Sequence, residues 1–195
     1  MTGNCILSGV GGQGTILASK LISQAAMSKG LAVRTAETIG MAQRGGCVVS
    51  HVRIGEEIHS PMVPMHSADI IIGFEPSEAV RCLPYLKDDG VVIVSKKAVM
   101  PVTASLGQGS YEASDMLDYL TEHTKNLIIV DGEQICEECG SVKVLNVALL
   151  GAACASGGLG ITLSEMEAAV LERVDPRFTQ MNARALVLGA KAAEK

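Results

Sequence analysis

The sequence predicts an α/β fold: a single doubly wound, mostly parallel sheet with a Rossmann-like glycine loop and a helical C-terminal region. Three observations carry this. A short apolar run, Asn4 to Ser8, leads into Gly9-Val10-Gly11-Gly12-Gln13-Gly14, the G-x-G-x-x-G spacing of a strand-to-helix loop. Behind it, Leu17, Leu21, Ile22 and Ala26 recur at helical spacing. Further apolar runs, among them Ala68 to Phe74, then alternate with helical segments, the order from which parallel sheets are built.

The elements follow in chain order. Thr15 to Lys29 is predicted as a helix stopped by Gly30, and Ala32 to Ala36 as the second strand. Strand, glycine loop, helix and strand make a βαβ unit, which implies parallel pairing. Cys47 to Ile54 is rich in Val and Ile and reads as a strand; Ser60 to Pro64, with two prolines, is a loop. Pro76 opens a helix running to about Leu86, because the missing N–H of proline costs little in a first turn. Asp88-Asp89-Gly90 reads as a turn before a strand at Val91 to Ser95. Met100 to Gly109 reads as strand plus loop. Ser114 to Lys125 is helical, with Met116, Leu117 and Leu120 on one side, and Leu127 to Asp131 is a strand. Helices are expected at Glu133 to Cys139 and Lys143 to Ser156. Another starts at the capping-box spacing of Ser164 and Glu167, and after the break at Pro176 the last covers Met181 to Lys195. No internal repeat or linker interrupts the 195 residues, which suit one domain.

Composition narrows the function. Hydrophobic residues make up 48% and aromatics 3%, so the core is built from Ala, Val, Ile, Leu and Met. The mean hydropathy of +0.31 suggests that a partner covers some apolar surface. A net charge of -5 and no basic cluster longer than Lys96-Lys97 argue against nucleic acid, whose phosphates need a basic patch. Neither a signal-peptide pattern nor an apolar run of membrane-spanning length is present, so a cytoplasmic chain is expected. Cys5, Cys47, Cys82 and Cys154 stand alone in apolar segments and read as reduced, buried thiols.

Three stretches could carry chemistry. In the glycine loop, Gly9 would permit a tight turn, Gly11 the approach of a phosphate and Gly14 close helix–strand packing. The N–H groups at the following helix start would face an anion. Glu37, 23 positions after Gly14, stands where a ribose-binding acid is expected. From these residues, NAD or FAD binding and a turn that only shapes the fold or an interface are both open. The second stretch is Gly40-Met41-Ala42-Gln43-Arg44-Gly45-Gly46. Its paired glycines allow close backbone approach, and Arg44 supplies a permanent charge suited to carboxylate or phosphate. The third, Cys136-Glu137-Glu138-Cys139, is half of a zinc site or a redox pair; a ferredoxin-type cluster needs four thiolates and the two glutamates would not activate a thiol, so the pair reads as incidental helix cysteines and no metal site is expected. None of His51, His59, His66 and His123 sits in a catalytic motif; His51, in a strand, reads as structural.

Read together, G-V-G-G-Q-G and M-A-Q-R-G-G resemble the gamma-type domain of the pyruvate and other 2-oxoacid:ferredoxin oxidoreductases. The form is that of the small (beta) subunit of indolepyruvate ferredoxin oxidoreductase; relatives acting on other oxoacids tend to carry an acidic residue before R-G-G. Ser60-Pro61 with Pro64, Ala68-Asp69, Gly73-Phe74-Glu75-Pro76, Asn146 with Leu149-Leu150-Gly151, Asn182-Ala183-Arg184-Ala185 and Gly189 follow in the expected order. The resemblance covers nearly the whole chain. It implies oxidative decarboxylation of a 2-oxoacid, here an arylpyruvate, with coenzyme A as acyl acceptor. Thiamine diphosphate and [4Fe-4S] clusters would sit in a large (alpha) subunit, and ferredoxin would take the electrons. This chain alone would bind no cofactor firmly. Its contribution would be one face of a shared site, made by Gly9, Gly11, Gly12, Gln13 and Gly14 with Gln43, Arg44, Gly45 and Gly46. That face would meet coenzyme A or brace the thiamine site, and no residue is assigned an acid–base or nucleophilic role.

Overall fold

A computed structural model of the chain describes residues 3–40, 46–100 and 111–194. Six strands form one mixed sheet: β1 (Gly3–Val10), β2 (Ala32–Ile39), β3 (Cys47–Gly55), β4 (Ala68–Gly73), β5 (Leu86–Ser95) and β6 (Asn126–Val130). Their order across the sheet is β2-β3-β1-β4-β5-β6. The run β1, β4, β5, β6 is parallel, while β3 pairs antiparallel with both β1 and β2. Only β3 therefore runs against the rest.

Seven helices flank the sheet among the described residues: α1 (Thr15–Ser28), α2 (Pro76–Cys82), α3 (Ala113–His123), α4 (Gly132–Cys139), α5 (Leu145–Ala155), α6 (Leu163–Arg173) and α7 (Thr179–Ala192). Strand alternation sends Cys5, Leu7, Ile70, Ile72 and Ile93 to one face, where α1 and α4 to α7 pack. Ile6, Ile71, Val92 and Val94 point to the other, against Ala79 and Cys82 of α2 and Leu120 of α3. Helices on both faces give the doubly wound architecture that the sequence predicts. No helix among the described residues is long and apolar enough to cross a membrane.

The expected parallel pairing of the first two strands is corrected: β3 lies between β1 and β2. The inner position goes to the more apolar strand. Val48, Val52 and Ile54 of β3 are buried, whereas β2, reading AVRTAETI, has no buried residue and suits an edge. The turn expected at Asp88-Asp89-Gly90 is absorbed into β5. Pairing with β4 jumps from Ala68–Leu86 to Ile70–Val91, so the extra residues bulge within a continuous strand. There Lys87 pairs with Asp69 at 2.6 Å.

Three helix boundaries also differ. The helix from Pro76 ends at Cys82 and tightens into a 3₁₀ turn at Leu83–Tyr85. The one expected from Lys143 begins with a 3₁₀ turn, Val142–Val144, before α5. The capping box belongs to Thr162 and Glu165, not Ser164 and Glu167. Glu165 is fixed there by Lys29, 3.1 Å away. The strand and loop expected at Met100 to Gly109 lie, apart from Met100, outside the described residues. All six cysteines are free; Cys5, Cys82 and Cys154 are buried as expected, but Cys47, at the start of β3, is exposed.

Candidate functional site

The carboxyl ends of β1, β4, β5 and β6 form one edge, and the glycine loop stands on it. Its geometry reassigns the glycines. Gly9 is still strand; a Cβ there would come 2.7 Å from Gln13 Oε1 and 2.8 Å from the Phe74 Cβ. The turn is made instead by Gly12 and Gly14, whose φ values of 100° and 85° favour glycine. Gly14 is the N-cap of α1 and lies against Asn146, where an added Cβ would approach Nδ2 to 2.9 Å. Gly11 N–H donates to the Gly46 carbonyl at 2.9 Å.

Gln13 braces this loop. Its Oε1 accepts from Val10 N–H at 2.8 Å, and its Nε2 donates to the Phe74 carbonyl at 3.0 Å. The side chain thus ties the end of β1 to the end of β4, and its amide is committed to the loop itself. Asn146 is positioned from behind: α5 and α7 cross with backbones in contact, since a Cβ on Gly151 or Gly189 would collide with the Leu186 or Ala148 carbonyl. The first turn of α1 has neither a side-chain cap nor an acidic residue. Its N–H groups and helix dipole therefore suit an anion.

The second motif reaches the same place. β2 and β3 pair as far as Ile39 and Val48, and Gly40 N–H donates to the Cys47 carbonyl at 2.8 Å. Gly46 follows directly beside Gly11. Gln43, Arg44 and Gly45 fall outside the described residues. Glu37 does not sit where a ribose-binding acid would. It is an exposed residue of edge strand β2, two strands from β1 and so about 10 Å to the side. Its carboxylate accepts from Ser19 Oγ at 3.3 Å.

Next along the edge, β4 leads into Phe74 and Glu75, the latter a residue that sequence reasoning placed in a motif but gave no role. Glu75 is buried and caps α2, accepting from Glu78 N–H at 3.1 Å. Ser77 Oγ donates to Glu75 Oε2 at 2.5 Å. Oε1 accepts from Tyr111 OH and from Val99 N–H, the latter at 3.5 Å. Burial and the Glu75 contact push the Tyr111 phenol up to about 12, so it remains a donor. The available signal was Glu75 before Pro76, an N-cap position, but its partners lie too far along the chain to be read locally.

His51 is structural, as expected: it is buried, and Nδ1 accepts from Val63 N–H at 3.2 Å. Burial pushes the Cys136 and Cys139 thiols up, away from nucleophilic character. Among the described residues, no group of three or more His, Cys, Asp or Glu side chains could hold a metal ion.

Comparison with known proteins gives this edge its context. The family model described as pyruvate ferredoxin/flavodoxin oxidoreductase matches residues 4–192. The chain is 36% identical over 194 residues to the indolepyruvate oxidoreductase subunit IorB of Thermococcus kodakarensis, covering 98% of this chain and 96% of the relative. To the pyruvate/ketoisovalerate oxidoreductases common subunit gamma of Pyrococcus furiosus it is 28% identical over 179 residues, 91% and 89% of the two chains. Its fold matches the crystal structure of the keto/oxoacid ferredoxin oxidoreductase gamma subunit from Geobacter sulfurreducens, with a TM-score of 0.72 over 98% of both chains at 23% identity. The chain belongs to the pyruvate ferredoxin/flavodoxin oxidoreductase family and is a subunit of an oxoacid ferredoxin oxidoreductase.

Proposed function

We propose that this chain is the small, gamma-type subunit, one domain over residues 1–195, of a cytoplasmic oxidoreductase that converts indolepyruvate and other arylpyruvates to acyl-CoA. The carboxylate leaves as carbon dioxide, the acyl carbon passes to the coenzyme A thiol, and two electrons go to ferredoxin. Thiamine diphosphate and [4Fe-4S] clusters in the large subunit supply the decarboxylation and electron-transfer chemistry. The higher identity to the indolepyruvate subunit than to the pyruvate/ketoisovalerate one supports the arylpyruvate preference.

The observation that carries the site assignment is the Gly11–Gly46 hydrogen bond, which joins the two glycine motifs beside the uncapped start of α1. On this reading Gly9, Gly11, Gly12, Gln13 and Gly14 with Gln43, Arg44, Gly45 and Gly46 make one wall of the shared site. The helix start and Arg44 meet a phosphate of coenzyme A, while Gly9, Gln13 and Gly14 hold the loop in shape. Arg44→Ala should raise the apparent KM for coenzyme A or oxoacid in an assembled complex. Unchanged kinetics would remove Arg44 from the site.

The braced loop also supports a second reading, a non-catalytic assembly module. Loop variants would then break the complex before they change turnover.

A further inference from the structure

β2 ends the sheet, and nothing in its own make-up guards that edge. Its pairing with β3 runs without a bulge from Ala32–Gly55 to Ile39–Val48, and it contains no proline. Its two charged side chains turn back onto the chain. Arg34 Nε donates to the Ile58 carbonyl at 2.6 Å, and Glu37 accepts from Ser19 Oγ at 3.3 Å. Proteins ordinarily blunt a free edge with bulges, prolines or projecting charges, because its unpaired backbone recruits another strand.

The backbone shows which groups are on offer. Gly40 N–H donates to the Cys47 carbonyl, so by antiparallel alternation the even-numbered residues of β2 turn their N–H and C=O toward β3. Val33, Thr35, Glu37 and Ile39 turn theirs outward, where no strand of the sheet lies. These residues are symmetric about Ala36. A second copy running antiparallel across a two-fold axis at Ala36 pairs every one of them, Val33 with Ile39 and Thr35 with Glu37, each twice.

The side chains suit that register. On the α1 face a groove runs between α1 and β2, lined among others by Lys20, Met27, Val33, Thr35 and Glu37. α1 runs back over β2: Ser19 meets Glu37, and Leu31 N–H donates to the Ala26 carbonyl. Met27 therefore stands at the Val33 end. Met27 is 56% exposed and Ile39 61%. In the pair, Ile39 of each copy enters the Val33–Met27 end of the other's groove, so these exposed apolar side chains cover one another. Lys20 forms no salt bridge among the described residues. It meets Glu37 of the second copy, which lies opposite Thr35. Ala36, on the axis, brings only a methyl group.

We propose that the chain forms a two-fold dimer in which β2 pairs antiparallel with β2 of a second copy, joining the two six-stranded sheets into one. The contact is isologous and uses up the edge, so association stops at two copies. It stands or falls independently of the function proposed for the glycine loop.

Analytical ultracentrifugation of the full-length chain, with hydrogen exchange followed by NMR, tests this. The unaltered chain should sediment as a dimer at micromolar concentration, and Ile39→Lys as a monomer. Residues 33 and 39 lie about 20 Å apart along one β2, so they can pair only between copies. Adding Val33→Glu to Ile39→Lys should therefore restore the dimer. The outward amides of Thr35 and Glu37 should exchange at least about tenfold faster in the Ile39→Lys monomer than in the dimer, while those of Arg34 and Ala36, bonded to β3, stay protected. A monomeric unaltered chain, or a dimer that persists in Ile39→Lys, overturns the proposal. So does a double variant that stays monomeric, or a dimer whose Thr35 and Glu37 amides exchange as fast as in the monomer.

Discussion

Gly11 donates its backbone N–H to the Gly46 carbonyl across 2.9 Å, so the two glycine motifs of this chain are halves of one structure. The bond exists because β3 lies against β1, with Val10 opposite Cys47. It sets Gly46, just before β3, beside Gly11, three residues before the N-cap of α1. It also spends the Gly11 amide inside the protein, so the anion proposed to bind here would meet the uncapped first turn of α1 instead.

Gly12 and Gly14 should differ in their tolerance of alanine. Both have positive φ, but nothing lies within 4 Å of a Cβ on Gly12, whereas one on Gly14 meets Asn146. Gly12→Ala should cost about 1 kcal/mol from backbone strain, and Gly14→Ala about 2–3 kcal/mol. Urea unfolding of the two variants checks this; equal midpoints would contradict the packing role of Asn146.

Gln13→Glu should lower stability by about 1–3 kcal/mol. The carboxylate can still accept from Val10 N–H but cannot donate to the Phe74 carbonyl, and it adds charge beside it. A denaturation midpoint equal to that of the unaltered chain would show that the brace contributes nothing.

Glu75 and Tyr111 should be energetically coupled. A double-mutant cycle with Glu75→Gln and Tyr111→Phe should give a coupling of about 1 kcal/mol or more. Additive effects would mean that the Tyr111–Glu75 hydrogen bond does not hold these segments together.

His51 should make stability fall in acid. Burial holds its pKa below the ordinary 6.5. The unfolded chain therefore binds more protons in that interval, so the contribution is complete above 6.5 and shrinks as pH falls toward the folded value. Protonation also removes the Nδ1 lone pair that accepts from Val63 N–H. Between about pH 7.5 and about pH 5.5, where histidine titrates, the Tm of the unaltered chain should drop further than that of His51→Gln. Equal drops would remove His51 as the cause.

Local chemistry made much of this fold legible in the sequence. The helix after Gly14, the proline opening α2 and the apolar strands all follow from periodicity and turn residues. The position of β2 was not legible, because strand order depends on which strand the helices cover, and β3 has the better apolar face. The two overlapping capping-box patterns, Thr162 with Glu165 and Ser164 with Glu167, are equivalent in sequence; a distant lysine, Lys29, holds the one that forms. At the site, the glycine loop was visible but the jobs of its glycines were not. Gly9 is required by Gln13 and Phe74, and Gly14 by Asn146, contacts that no local spacing reveals.

On the proposed function, this chain works beside a thiamine-binding partner on arylpyruvates. Co-expression with candidate large subunits, followed by assay of coenzyme A-dependent ferredoxin reduction, puts that to the test. The predicted result is a stable complex that reduces ferredoxin with indolepyruvate and phenylpyruvate in preference to pyruvate. Failure to associate with any thiamine-binding chain, or a preference for pyruvate in the assembled complex, would contradict it.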